Sequence, residues 1–188
     1  MKRFFITGIG TDVGKTFISA ILAEALNADY WKPVQAGSIG FTDSDVIRSL
    51  ITSAHIKIHP EVYCLSAPMS PHAAAKIDGI SISLANIKAP DTTRPLVIEG
   101  AGGLLVPLGK GLVVADLINH LDAQAIVVSR NYLGSINHTL LTIEALRSRN
   151  IPILGIIFNG ESNSESESFI LEYSAATCLG RVGSEEMI

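Results

Sequence analysis

Phe5-Ile6-Thr7-Gly8-Ile9-Gly10-Thr11-Asp12-Val13-Gly14-Lys15-Thr16 is the stretch whose reading decides the fold. An apolar run enters it, glycines fill its middle, and a helical pattern leaves it. Glycines let the backbone curl until its N–H groups point inward, and the N-terminus of the following helix adds partial positive charge, so the turn forms a cradle for phosphate. Lys15 then reaches the outer phosphates of a nucleotide, and the Thr16 hydroxyl is placed to ligate Mg²⁺. Five residues rather than four separate Gly8 from Gly14, one more than the simplest spacing. A plain glycine turn with a helix-capping threonine accounts less well for strand, Gly14-Lys15-Thr16 and helix occurring together.

Short apolar runs recur downstream at Tyr30–Val34, Leu96–Ile98, Ala125–Ser129 and Ile153–Phe158, each reading, like Phe4–Thr7, as a strand buried on both faces. Between them, Phe17, Ile21, Leu22, Ala25 and Leu26 make one helical stripe, and Ile136, Leu140, Ile143 and Leu146 make another behind Ser135, a candidate N-cap. Alternating strands and helices imply an α/β fold: one domain over residues 1–188, with a mainly parallel sheet between two helical layers and ligands outside the carboxyl ends of the strands. The polar segment Glu161–Ser168 reads as a surface loop before a helix starting near Phe169. Ile77–Arg94 shows no clear period and is left unassigned.

Three charged positions stand out. Glu99 closes the run Arg94–Glu99 and precedes Gly100-Ala101-Gly102-Gly103, where small residues allow a ligand close to the backbone. A carboxylate at the end of a buried strand has no ordinary packing use. Asp45, in Thr42-Asp43-Ser44-Asp45 at a helix start, is a candidate metal ligand or a helix cap, and Asp43 competes for either role. Lys32 interrupts the apolar strand in Tyr30-Trp31-Lys32-Pro33-Val34-Gln35-Ala36-Gly37. It either snorkels to the surface or sets a compact cation over an anionic substrate.

Composition narrows the classes. Fourteen basic against eighteen acidic residues give a net charge of −4 without a Lys/Arg cluster, which argues against nucleic acid. No apolar run approaches the ~20 residues that span a bilayer, and the opening apolar run is broken by Gly8, Asp12 and Lys15 before it could serve as a signal, so a cytoplasmic location without membrane contact is expected. Cys64 and Cys178 lack metal or redox spacing and read as small buried hydrophobes.

Taken in order, the phosphate loop, Tyr30–Gly37, Asp43-Ser44-Asp45, Met69-Ser70-Pro71-His72, Ile98–Gly103, Leu133-Gly134-Ser135-Ile136-Asn137-His138 and Phe158-Asn159-Gly160 resemble the dethiobiotin synthase family along nearly the whole chain. The resemblance implies a single-domain P-loop NTPase fold and a Mg²⁺-dependent, ATP-using cyclo-ligase of biotin synthesis. Its reaction joins 7,8-diaminopelargonate and CO₂ into a carbamate, phosphorylates it, and closes the cyclic urea, giving dethiobiotin, ADP and phosphate. By the same resemblance Lys32, Lys15 and Thr11 are catalytic, and Thr16, Asp45 and Glu99 hold Mg²⁺. ATP would contact Asp12 through Phe17, including Val13 and Gly14. It would also contact Asp45, Glu99, Gly100, Ala101, Gly102, Asn159 and Gly160, with Asn159 reading the base. The diamine would meet Thr11, Lys32, Ala36, Ser70, Pro71 and, across a homodimer interface, Asn137.

Ala36 stands where the family often has serine, and the base-binding segment beyond Leu179–Val182 is expected to be short. An amide that can flip, as at Asn159, would tolerate more than one base. The competing function is a switch of the partitioning-ATPase type that controls a protein partner. Those proteins carry an extra lysine early in the loop, where this chain has Ile9 or Gly10.

Overall fold

The computed structural model describes residues 1–37 and 40–183. In chain order the elements are β1 (Arg3–Gly8), α1 (Lys15–Leu26), β2 (Asp29–Trp31), β3 (Val34–Ala36), α2 (Asp43–Leu50), β4 (Ile58–His59), β5 (Tyr63–Leu65) and α3 (Pro71–Ile77). They continue with β6 (Leu96–Gly103), β7 (Pro107–Gly109), β8 (Leu112–Val113), α4 (Val114–His120), β9 (Gln124–Arg130), α5 (Ser135–Arg147), β10 (Ile153–Asn159), α6 (Ser164–Ser174) and β11 (Cys178–Val182). Seven strands form a parallel sheet in the order β11-β10-β9-β1-β6-β2-β4.

Because successive strand residues point to opposite faces, the sheet builds two cores. Phe5, Ile98, Val127 and Phe158 pack under α4 to α6, while Phe4, Ile6, Val97 and Val128 pack under Ile18 of α1 and Ile47 of α2. This is the three-layer α/β arrangement expected from the strand runs. β1, β6 and β2 lie side by side, so the residues at their carboxyl ends share one rim of the sheet.

Several details depart from the sequence reading. The run Tyr30–Val34 is two strands: β2 joins the main sheet, whereas β3 pairs with β5 in a separate ribbon. Pro33, which lacks an N–H, sits at the break, so Lys32 stands at the end of β2 and not inside a strand. In α1 the buried face is Ile18, Ser19, Ala20 and Ala23, while Ile21 and Leu26 are exposed. α5 is capped by Gly134 in the left-handed region, and Ser135 is its buried first residue. α6 starts at Ser164 with Asn163 as its cap, so much of the polar segment before Phe169 is helix. Cys64 and Cys178 are both free and exposed. Ile77–Arg94 contains a single 3₁₀ turn, Leu84–Asn86, anchored by buried Ile82 and Ile87. Among the described residues no helix is long and apolar enough to cross a membrane.

Candidate active site

The loop between β1 and α1 closes tightly on itself. Gly14 has φ 95°, and a Cβ there would lie 2.1 Å from the Asn159 amide nitrogen, so both backbone angle and space demand glycine. A Cβ on Gly8 would meet Val13 at 2.5 Å. Lys15 Nζ curls back to donate to the Gly10 carbonyl at 3.0 Å, so the longer loop still lies under its lysine. Burial pushes the Lys15 pKa down, partly offset by Glu99, which leaves a poorly solvated cation suited to an anionic ligand.

Beside the loop, three elements bring oxygen donors together. Thr16 Oγ1, in the first turn of α1, lies 2.9 Å from Glu99 Oε1 on β6 and 3.1 Å from Asp43 Oδ1 on α2. One hydroxyl proton cannot fully satisfy two carboxylates, so a cation is needed between them. In this structure that cation is Lys32, whose Nζ is 2.6 Å from Asp43 and 2.9 Å from Glu99. Burial opposes the charge on Lys32, but the two carboxylates outweigh it and raise its pKa. Burial likewise opposes the charge on Asp43, and Lys32 with its hydrogen-bonding neighbours brings that carboxyl below its usual range. Two carboxylates and a hydroxyl are hard oxygen ligands of the kind Mg²⁺ takes, and the ammonium marks where positive charge is held.

Asp45 is not part of this cluster. Its Oδ2 accepts from Thr42 N and Thr42 Oγ1, both at 2.9 Å, and its Oδ1 pairs with Arg48 at 2.6 Å. A capping box folds the third helical residue back on its cap, so Asp45 is spent on α2. Asp43 occupies the place expected for it. Gln35 supports Asp43 by accepting its backbone N–H at 3.3 Å, and Tyr30 donates to Glu99 Oε2 at 2.9 Å. Burial, then the Glu99 charge, pushes the Tyr30 pKa well up, so the phenol remains a donor. Neither residue shows a signal in sequence, because each acts through a partner on another element.

A cavity of about 690 Å³ opens over this cluster. Its walls include Thr11, Asp12, Phe17 and Ala36 together with Ser70, Pro71, Ala101 and Gly102. The phosphate loop, Lys32, the carboxylates and the expected substrate wall thus share one space.

A family model described as an AAA domain matches residues 2–188. The ATP-dependent dethiobiotin synthetase BioD of Cytophaga hutchinsonii is 57% identical over 189 residues, which cover 100% of this chain and 91% of that protein. The chain belongs to the dethiobiotin synthetase family. The protein of the same name from Christiangramia forsetii is 53% identical, with 98% of this chain and 88% of that one covered. Among solved structures, a ParA family ATPase from Chlorobium tepidum matches with a TM-score of 0.58 over 98% of this chain and 85% of its own. MinD of Pyrococcus horikoshii, complexed with Mg-ADP, matches with a TM-score of 0.60 over 97% and 81%. Both are 14% identical to this chain and show the P-loop NTPase fold alone.

For a dethiobiotin synthetase the remaining expected site residues fall into two groups. Val13 belongs to the loop, and Asn159, which ends β10, and Gly160 after it lie outside the cavity lining: Asn159 Nδ2 donates to the Val13 carbonyl at 2.9 Å, and its buried Oδ1 has no hydrogen-bond partner among the described residues. That orphan acceptor fits a ligand donor such as a base amine. Gly100 and Asn137 lie elsewhere. A Cβ on Gly100 would meet the Phe5 ring at 2.7 Å, which makes it a packing glycine, and Asn137 is exposed on α5 away from the cavity wall.

Proposed function

We propose that the chain is the ATP- and Mg²⁺-dependent synthetase that closes 7,8-diaminopelargonate and CO₂ into dethiobiotin, releasing ADP and phosphate. The observation that carries this reading is Lys32 poised between Asp43 and Glu99, beside Lys15 and Thr16, in one cavity of about 690 Å³. The 57% identity to a named dethiobiotin synthetase supports it.

In this reading the loop N–H groups and Lys15 grip the outer phosphates, while Thr16, Asp43 and Glu99 hold Mg²⁺, which neutralises phosphate charge when bound. One amine of the diamine adds to CO₂, and Lys32 Nζ steadies the carbamate oxyanion. A carbamate oxygen attacks the γ-phosphorus as the bond to ADP breaks. The second amine then attacks the carbamoyl carbon, the C–O bond to phosphate breaks, and the urea ring closes. None of these steps needs a strong base. They need alignment and charge neutralisation, which fixed cations and backbone donors supply. Pro71 and Val106 offer an apolar wall to the diamine chain, and Ala36 leaves that wall without a hydroxyl.

A homodimer is part of the proposal. Leu133, in the turn before α5, is 103% exposed and Leu141 of α5 54%, on either side of the exposed Asn137 in the chain, and covering them with a second copy would bring Asn137 to that copy's diamine carboxylate. The test is direct: ADP release should require both bicarbonate and 7,8-diaminopelargonate. ADP release indifferent to both would end the ligase reading.

A further inference from the structure

Glu99 is gripped from two sides. Its Oε1 accepts from Thr16 and Lys32 at the cavity floor, whereas its Oε2 accepts from the Tyr30 phenol inside the core. Tyr30 and Glu99 are each no more than 1% exposed, so neither group can trade its partner for solvent. The sheet register makes the contact possible. Tyr30 on β2 pairs with Val97 on β6, two residues short of Glu99, and two parallel-strand steps of about 3.3 Å each match the length of a tyrosine side chain laid along the strand.

We propose that Tyr30 is a positioning residue for the cation site: by closing Oε2 it fixes the Glu99 carboxylate so that Oε1 is the oxygen offered to Mg²⁺. This rests on the reading of Thr16, Asp43 and Glu99 as the Mg²⁺-holding set. A carboxylate with a vacant second oxygen can rotate or chelate through both oxygens, and either would pull it from the line set by Thr16 and Asp43. A phenol prevents this without adding charge. A second cation in its place, added to Lys32, would compete further with the metal for the same carboxylate. Hydrogen bonds of this kind behind a ligand typically change metal affinity by about 10–100-fold.

Tyr30→Phe keeps the ring and removes only the donor. With Mn²⁺ as the probe, followed by electron paramagnetic resonance in the presence of a non-hydrolysable ATP analogue, the variant should bind the metal about tenfold more weakly than the parent. Its metal-free affinity for the analogue should stay unchanged. A Tyr30→Phe chain that is folded and binds Mn²⁺ as the parent does would overturn the inference, whatever its melting temperature, since a purely structural tyrosine alters stability and leaves metal affinity alone. In a Glu99→Gln background the Tyr30→Phe change should add nothing further to Mn²⁺ affinity, and an independent loss there would also overturn it. If Tyr30→Phe does not fold, 3-fluorotyrosine at position 30 preserves shape while altering the donor, and an unaltered Mn²⁺ affinity would again count against the role. Failure of the parent itself to bind Mn²⁺ would remove the underlying metal reading, a result distinct from equal binding by parent and variant.

Discussion

Lys32 Nζ lies 2.6 Å from Asp43 Oδ2, and this pair joins the end of β2 to the first turn of α2 over the floor of the cavity. The same ammonium is 2.9 Å from Glu99, so one buried cation serves two carboxylates.

Lys32→Gln should therefore have two separable effects. Without metal, Asp43 and Glu99 face each other uncompensated, and breaking a buried pair costs roughly 3 kcal/mol. Mg²⁺ should restore part of the lost melting temperature by taking the vacated charge position. Turnover should still fall by about 10²–10³, since the metal cannot replace the oxyanion stabiliser. Melting curves in EDTA and in Mg²⁺, alongside single-substrate kinetics, check both effects. Parent-like turnover would exclude the catalytic role.

Asp43→Asn and Asp45→Asn should differ in kind. Asp43 shares Thr16 Oγ1 with Glu99, so its loss should raise the Mg²⁺ concentration needed for half-maximal rate by about tenfold or more. Asp45 is committed to Thr42 and Arg48, so its loss should lower the melting temperature slightly and leave the Mg²⁺ requirement untouched. A Mg²⁺ titration of both variants decides which carboxylate serves the metal.

Acid should destabilise the metal-free protein partly through Asp43. Its pKa is lower folded than unfolded, so its contribution is complete above the ordinary value of 3.8 and is lost as pH falls through the folded pKa. Melting temperature against pH in EDTA should show this limb below about pH 4, and Asp43→Asn should flatten it. An identical acid limb in the variant would assign the effect to other carboxyls.

Base selectivity should follow a fixed amide. Asn159 Nδ2 is held by the Val13 carbonyl, and flipping it would set two acceptors against each other, so Oδ1 stays an acceptor. The tolerance expected from a freely flipping amide is thereby narrowed to bases with an amine at that edge. CTP should replace ATP better than GTP, whose carbonyl would leave an unpaired acceptor costing about 1–3 kcal/mol, or roughly 10–100-fold in kcat/KM. Equal use of GTP and CTP would mean that Asn159 does not read the base.

A composite site predicts complementation. Asn137→Ala should raise KM for the diamine with nucleotide affinity intact. Mixed with Lys32→Gln, it should regain part of the activity through heterodimers that carry one complete site. No recovery, with subunit exchange verified, would place each site within a single chain.

The fold was legible because its signals are local. A glycine-rich turn before Lys15, and apolar runs whose length and spacing suit buried parallel strands, specify backbone conformation within a few residues. Lys15, Thr16, Lys32 and Glu99 could be singled out for the same reason, as each is chemically out of place in its own segment. The choice between Asp43 and Asp45 was not local in the same way. Both sit in the first turn of α2, and which carboxylate enters the cavity depends on how that turn is laid against Thr16 and Lys32, 27 and 11 positions away in the chain. The Tyr30 contact with Glu99 spans 69 positions and exists only because β2 lies beside β6 in one register. Sequence alone thus determined which side chains carry charge and where the phosphate loop must curl, since those depend on residue type and short-range sterics. Tertiary structure decided which oxygen faces which cation, because hydrogen bonds form over about 3 Å and only the packed sheet and helices set positions that finely.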